Sequence, residues 1–95
     1  MNYGKAIREL RNNTNTSGKE LSRSIGVTQS HLSSVETGRC KPSLDFIEKT
    51  AKHFQVPLAY LFQLATTESD VKKSNVEKFR ALNSSVCALM KEMYL

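Results

Sequence analysis

Apolar positions recur along the chain at helical spacing, and stretches of polar, Gly or Pro residues cut the pattern into segments. Tyr3, Ile7 and Leu10, with Ala6 beside them, share one face of a first helix over 3–13. The polar run NNTNTSG at 12–18 interrupts it. Ser17 then stands as an N-cap with Glu20 three residues on, the spacing of a capping box, which predicts a second helix over 18–25 with Leu21 and Ile25 inward. Gly26 can end that helix in a left-handed turn. Thr28 caps a third, TQSHLSSVE, with Leu32 and Val35 inward and Gln29, Ser30, His31, Ser33 and Ser34 polar; Gly38 closes it. Ser43 caps a fourth, LDFIEKTAKHF, on the spacing of Leu44, Ile47, Ala51 and Phe54. Pro57 suits the first position of a fifth, which carries Leu58, Leu61 and Phe62. No stretch alternates apolar and polar residues long enough for a strand, so the expected fold is all-α.

The pattern changes near Ala65. TTESD at 66–70 reads as a short linker, and a last helix is predicted from 69 or 70 to 94. Its Phe79, Leu82, Val86, Leu89 and Met93 are spaced 3, 4, 3, 4, an a/d heptad seam that Val76, Met90 and Tyr94 widen. The seam can pack back on its own domain or join two copies. The upstream domain already has apolar residues enough for a core, which favours the second. The expected organisation is a five-helix domain over 1–65 and a dimerisation helix over 66–95.

Composition narrows the function. The 95 residues are 39% hydrophobic and 24% charged, ordinary for one globular domain. Fourteen Lys/Arg against nine Asp/Glu give +5; residues 1–65 hold nine against five (+4) and residues 66–95 five against four (+1). The excess sits on the five-helix part and suits a polyanionic partner such as nucleic acid. No apolar run is long enough for a membrane span, and the start MNYGKAIREL is amphipathic, unlike a signal peptide. Cys40 and Cys87 lack CxxC spacing and read as reduced thiols of a cytoplasmic protein, while His31 and His53 form no metal motif. Neither a metal nor a cofactor is expected. No nucleophile–base pair, Gly-rich phosphate loop or paired carboxylates stand at usable spacing, so an enzyme is not expected either.

Residues 17–43, SGKELSRSIGVTQSHLSSVETGRCKPS, are the informative stretch. Two short helices of fixed length meet at Gly26, Ser22 is small where they must approach, and Ile25, Val27, Leu32 and Val35 clamp the pair to the core. The second helix offers small polar side chains, with a Gln that can bond adenine bidentately and hydroxyls suited to several base edges. That layout is a helix-turn-helix, whose second helix enters the major groove.

Leu21, Gly26-Val27-Thr28-Gln29-Ser30, Leu32-Ser33, Val35-Glu36-x-Gly38-Arg39 and Pro42-Ser43, followed by Phe54-x-Val56-x-Leu58-x-x-Leu61-Phe62, resemble the Cro and phage-repressor type of helix-turn-helix domain, the Xre family. The resemblance spans residues 3–64. It implies a five-helix domain, a homodimer and a palindromic double-stranded DNA operator. By position it implies base reading by Thr28, Gln29, Ser30 and Ser34, with His31 a further candidate. Phosphate contacts fall on Gly18, Lys19, Arg23, Thr37, Arg39 and Lys41, and Arg11 is expected to pair with Glu36. Two positions depart from the family: Gly18 stands where Gln is common early in the second helix, and Thr16 where an apolar residue precedes it. A glycine at 18 leaves the backbone amides of that helix start open to a phosphate.

Blander readings apply to the same residues. Gln29, Ser30 and Ser34 are also what a solvated helix face carries, Arg39 and Lys41 what a soluble turn carries, and His53 lies beside Lys49 and Lys52 on a solvated face. The ordered motif around them favours a sequence-specific regulator, prokaryotic or phage-borne, and a repressor over an activator. The alternative is an antitoxin or other protein-interaction module whose C-terminal helix binds a partner protein.

Overall fold

The computed structural model describes residues 1–95 and is all helical. Its elements are α1 (Tyr3–Thr14), α2 (Gly18–Ile25), α3 (Gln29–Glu36), α4 (Leu44–Phe54), α5 (Leu58–Ala65) and α6 (Val76–Tyr94). Two 3₁₀ turns, Glu68–Asp70 and Lys73–Asn75, join α5 to α6. The starts of α2, α3 and α4 share one device. Ser17, Thr28 and Ser43 are extended, and each side-chain oxygen accepts the backbone N–H three residues on, from Glu20, His31 and Phe46 at 3.0–3.1 Å. Gly26 closes α2 at φ 76°, a conformation open to glycine without a Cβ penalty. Pro57 precedes α5 as its N-cap, one position earlier than the pattern predicts.

The core has two parts. Ile7, Leu21, Ile25, Leu32, Val35 and Phe46 pack under α2 and α3. Ala6, Leu10, Ile47, Ala51, Val56, Tyr60, Leu61 and Ala65 pack between α1, α4 and α5, and half-buried Phe54 touches both. α1 thus lies between the two halves and fixes α3 relative to α5. Leu44, expected inward, is exposed, and Phe46 with Thr50 takes its place. The buried stripe of α4 is rotated toward α2, so Leu44 in its first turn projects beyond the neighbours. Thr16 is buried without loosening the corner it occupies. Its hydroxyl lies 2.8 Å from that of Thr14, which itself lies 2.7 Å from the carbonyl of Leu10, while the Thr16 carbonyl accepts from Arg11.

The last helix starts at Val76, not at 69 or 70. The capping groups of the linker are spent elsewhere: Asp70 accepts the Thr67 N–H within the first 3₁₀ turn and holds the Met1 amino group at 2.6 Å. Glu68 accepts two bonds from Arg80 of α6 at 2.5 and 3.0 Å. The amino-terminal bond holds the Asp70 carboxyl below its ordinary value, and the Arg80 hydrogen bond does the same for Glu68. Carboxyls depressed in the folded state stabilise it above their unfolded pKa, and the contribution goes as pH falls through the folded value. Below roughly pH 4, the protection of amides 67–80 relative to their intrinsic exchange rate is therefore expected to fall while that of α1–α5 is kept. A uniform loss of protection along the chain would show that these two attachments carry no local stability.

Candidate nucleic-acid interface

Leu32 and Val35 seat α3 on the core from below, so its other side faces outward. Gln29, Ser30 and, one turn on from Gln29, Ser33 are exposed on that side. Thr28 is exposed at the start of the helix; its hydroxyl oxygen accepts the His31 N–H, and its own proton remains to donate. His31 is exposed too, with its ring edge-on to Phe46 at 5.7 Å between centroids. Ser34 is only half-exposed, and its carbonyl accepts the Arg39 and Cys40 N–H groups at 2.9 and 3.1 Å. Ser33 therefore offers more surface than Ser34, and the i, i+4 step from Gln29 is the signal that finds it.

The angle of α3 is set at its far end. Arg11 Nε and one terminal nitrogen donate to the two carboxylate oxygens of Glu36 at 2.8 and 2.7 Å, a fork-to-fork pair. The Glu36 side chain is 6% exposed. The other terminal nitrogen of Arg11 donates to the Thr16 carbonyl, which ties the approach to α2 into the same contact. Arg8 adds a weaker bond to the Glu36 carbonyl at 3.4 Å. Gly4, inside α1, lies against the same helix end. A Cβ there would overlap the Glu36 carbonyl and stand 2.7 Å from the Val35 carbonyl oxygen, so only glycine lets α1 pass so close.

The phosphate candidates fall on both sides of α3. A hollow of about 190 Å³ joins Gly18 at the start of α2 to Gln29 and Ser33 on α3. The Gly18 and Lys19 amides bond to nothing in the chain. A Cβ on Gly18 would meet nothing nearer than 3.8 Å, so glycine is not demanded there by space. Lys19 is exposed, and Arg23 lines a second hollow with Lys49, Lys52 and His53, a cluster that only the folded chain assembles. His53 Nδ1 also lies 2.7 Å from the Ser24 hydroxyl. Beyond α3, Gly38 turns at φ 82°, and Arg39 and Lys41 are exposed in the loop. Thr37 differs from them: its hydroxyl donates to the Ser33 carbonyl at 2.9 Å and has no proton left for a phosphate in this rotamer. The seam residues Leu82, Val86, Leu89 and Met93 lie away from this surface on α6, 41–61% exposed, while Phe79 is half-buried.

A helix-turn-helix family model matches residues 7–61, which run from the middle of α1 into α5. The chain belongs to the helix-turn-helix family. It is a DNA-binding regulator of the Cro and phage-repressor type. The transcriptional repressor RstR of the cryptic phage CTXphi, from Vibrio cholerae, is 32% identical over 82 residues, 85% of this chain and 74% of that protein. No solved structure matches. This helix-turn-helix chain has no helix long and apolar enough to cross a membrane.

Proposed function

We propose that the protein is a transcriptional repressor that binds a palindromic operator as a homodimer. One α3 from each copy enters successive major grooves about one helical turn apart. The observation that carries this reading is the outward row Gln29, Ser30 and Ser33, held on a helix whose far end is fixed by the half-buried Arg11–Glu36 pair. Two findings support the finer parts. The exposed apolar face of α6 supplies a surface for self-association, and RstR, similar over most of its length, is named a transcriptional repressor. Repression would follow from occupying DNA that polymerase needs.

The test places an operator recovered from random DNA across a promoter driving a reporter. Co-expression of the protein is expected to lower output, and a rise would make it an activator. Protein that stays monomeric with its α6 face exposed would favour a module that captures a partner protein.

The division of labour between base and phosphate contacts is also testable. Gln29→Ala is expected to cost about 1–3 kcal/mol on the operator and little on random DNA. Equal losses on both would remove Gln29 from the reading set. Arg39→Ala is expected to weaken operator and random DNA alike and to lower the salt slope by about one contact. An unchanged slope would take Arg39 off the phosphate surface.

A further inference from the structure

α6 carries two stripes at different angles. One rests on its own domain: Asn83 accepts from Gln63 at 2.7 Å, Met90 packs on the α1–α4–α5 core, and the Tyr94 ring lies 5.7 Å from Tyr60. The other, Leu82, Val86, Leu89 and Met93, is exposed and touches nothing that buries it. At its amino-terminal end this stripe runs into an open hollow of about 650 Å³ walled by Val71, Lys72, Asn75, Phe79 and Leu82.

In heptad terms Phe79, Val86 and Met93 occupy a, and Leu82 and Leu89 occupy d. The e flank, Asn83 and Met90, is the side held against the chain's own domain. Only the g flank is free, and it reads Lys78, Ser85, Glu92, all exposed. Lys78 and Glu92 form no ion pair within the chain. A basic residue, a neutral one and an acidic one, seven apart, make a row complementary to itself when reversed. In a parallel pair g would face the partner's e positions, which are covered. In an antiparallel pair g faces g.

We propose that this face docks on the same face of a second copy, with the two α6 helices antiparallel and the two-fold axis passing beside Ser84 and Ser85. Lys78 then meets the partner's Glu92 at both ends. Leu82 layers on the partner's Val86 and Phe79 on the partner's Leu89, and the partner's Met93 reaches the hollow beside Val71. The contact is isologous and closes at two copies. It rests on the homodimer reading above and adds the direction and register of the helices.

Sedimentation equilibrium on the full chain at low salt, without DNA, tests it with Lys78→Glu, Glu92→Lys and the double variant. All these positions are exposed, so circular dichroism is expected to show unchanged folding. Each single change turns two attractive contacts into two repulsive ones and is expected to raise the dimer dissociation constant about tenfold. The double variant restores the pairing and is expected to return close to the wild-type value, and high salt to shrink every difference. A wild-type dimer indifferent to both single changes, or a double variant as weak as the singles, would overturn this register and leave the homodimer standing. A wild-type chain that stays monomeric at every concentration would overturn both.

Discussion

Replacing Arg11 by alanine is expected to destabilise the domain by about 2–3 kcal/mol. The size follows from what is left behind. Glu36 keeps 6% of its side chain exposed, so its carboxylate loses its two closest donors where little water reaches it. Arg8, whose guanidinium lies 3.8 Å from the carboxylate and is half exposed, relieves only part of the loss. Replacing both partners, Arg11→Met with Glu36→Leu, is expected to recover most of the stability, because an apolar pair leaves no buried charge. Denaturant unfolding of the four proteins measures the coupling. A near-additive cycle would mean that the pair contributes nothing beyond its separate side chains. Since the pair also fixes the angle of α3, the apolar double variant is expected to fold well yet bind its operator less tightly than the wild type.

The second large effect is expected on α6. Leu89 is 58% exposed, so Leu89→Glu removes little burial within one chain and is expected to leave its helical fold intact by circular dichroism, with the melting temperature falling only by what dimerisation contributes at that protein concentration. In a dimer the same change puts two carboxylates into an apolar layer. Loss of the dimer converts binding at two half-sites from one linked event into two independent ones, which is expected to cost about 100-fold or more in operator affinity. Binding to a single half-site is expected to stay as it was. Dimer formation and operator affinity both unchanged would remove α6 from the assembly.

Much of the fold was legible because its punctuation is local. Ser17, Thr28 and Ser43 satisfy amides three residues away, and Gly26 and Gly38 take positive φ, so short-range chemistry marks these ends without knowledge of the rest. The core of the helix-turn-helix was legible for the same reason: Leu21, Ile25, Leu32 and Val35 repeat at helical spacing on helices only eight residues long. What escaped depends on distant partners. The need for glycine at position 4 arises only when the carbonyls at the end of α3 are brought against it. Phe46 and Thr50 displace Leu44 from the core because α2, far earlier in the chain, decides which side of α4 is covered. Asp70 reads as the start of a helix, but the amino terminus claims its carboxylate, and the chain passes through two short turns before α6 begins.

The candidate interface divides along the same line. The motif marks α3, and periodicity marks its outward side, but the choice between Ser33 and Ser34 turns on the loop that folds back onto the Ser34 carbonyl. Lys49, Lys52 and His53 already share one face of the α4 segment, but that Arg23 of α2 joins them shows only in the folded chain.

Selection of binding sites from a random DNA pool by the full-length chain, at physiological salt, tests the central claim most directly. The account predicts enrichment of an inverted repeat, its half-sites centred about 10 base pairs apart or a multiple of that. Salt-sensitive binding with no enriched sequence, or enrichment of a single unrepeated site, would contradict it.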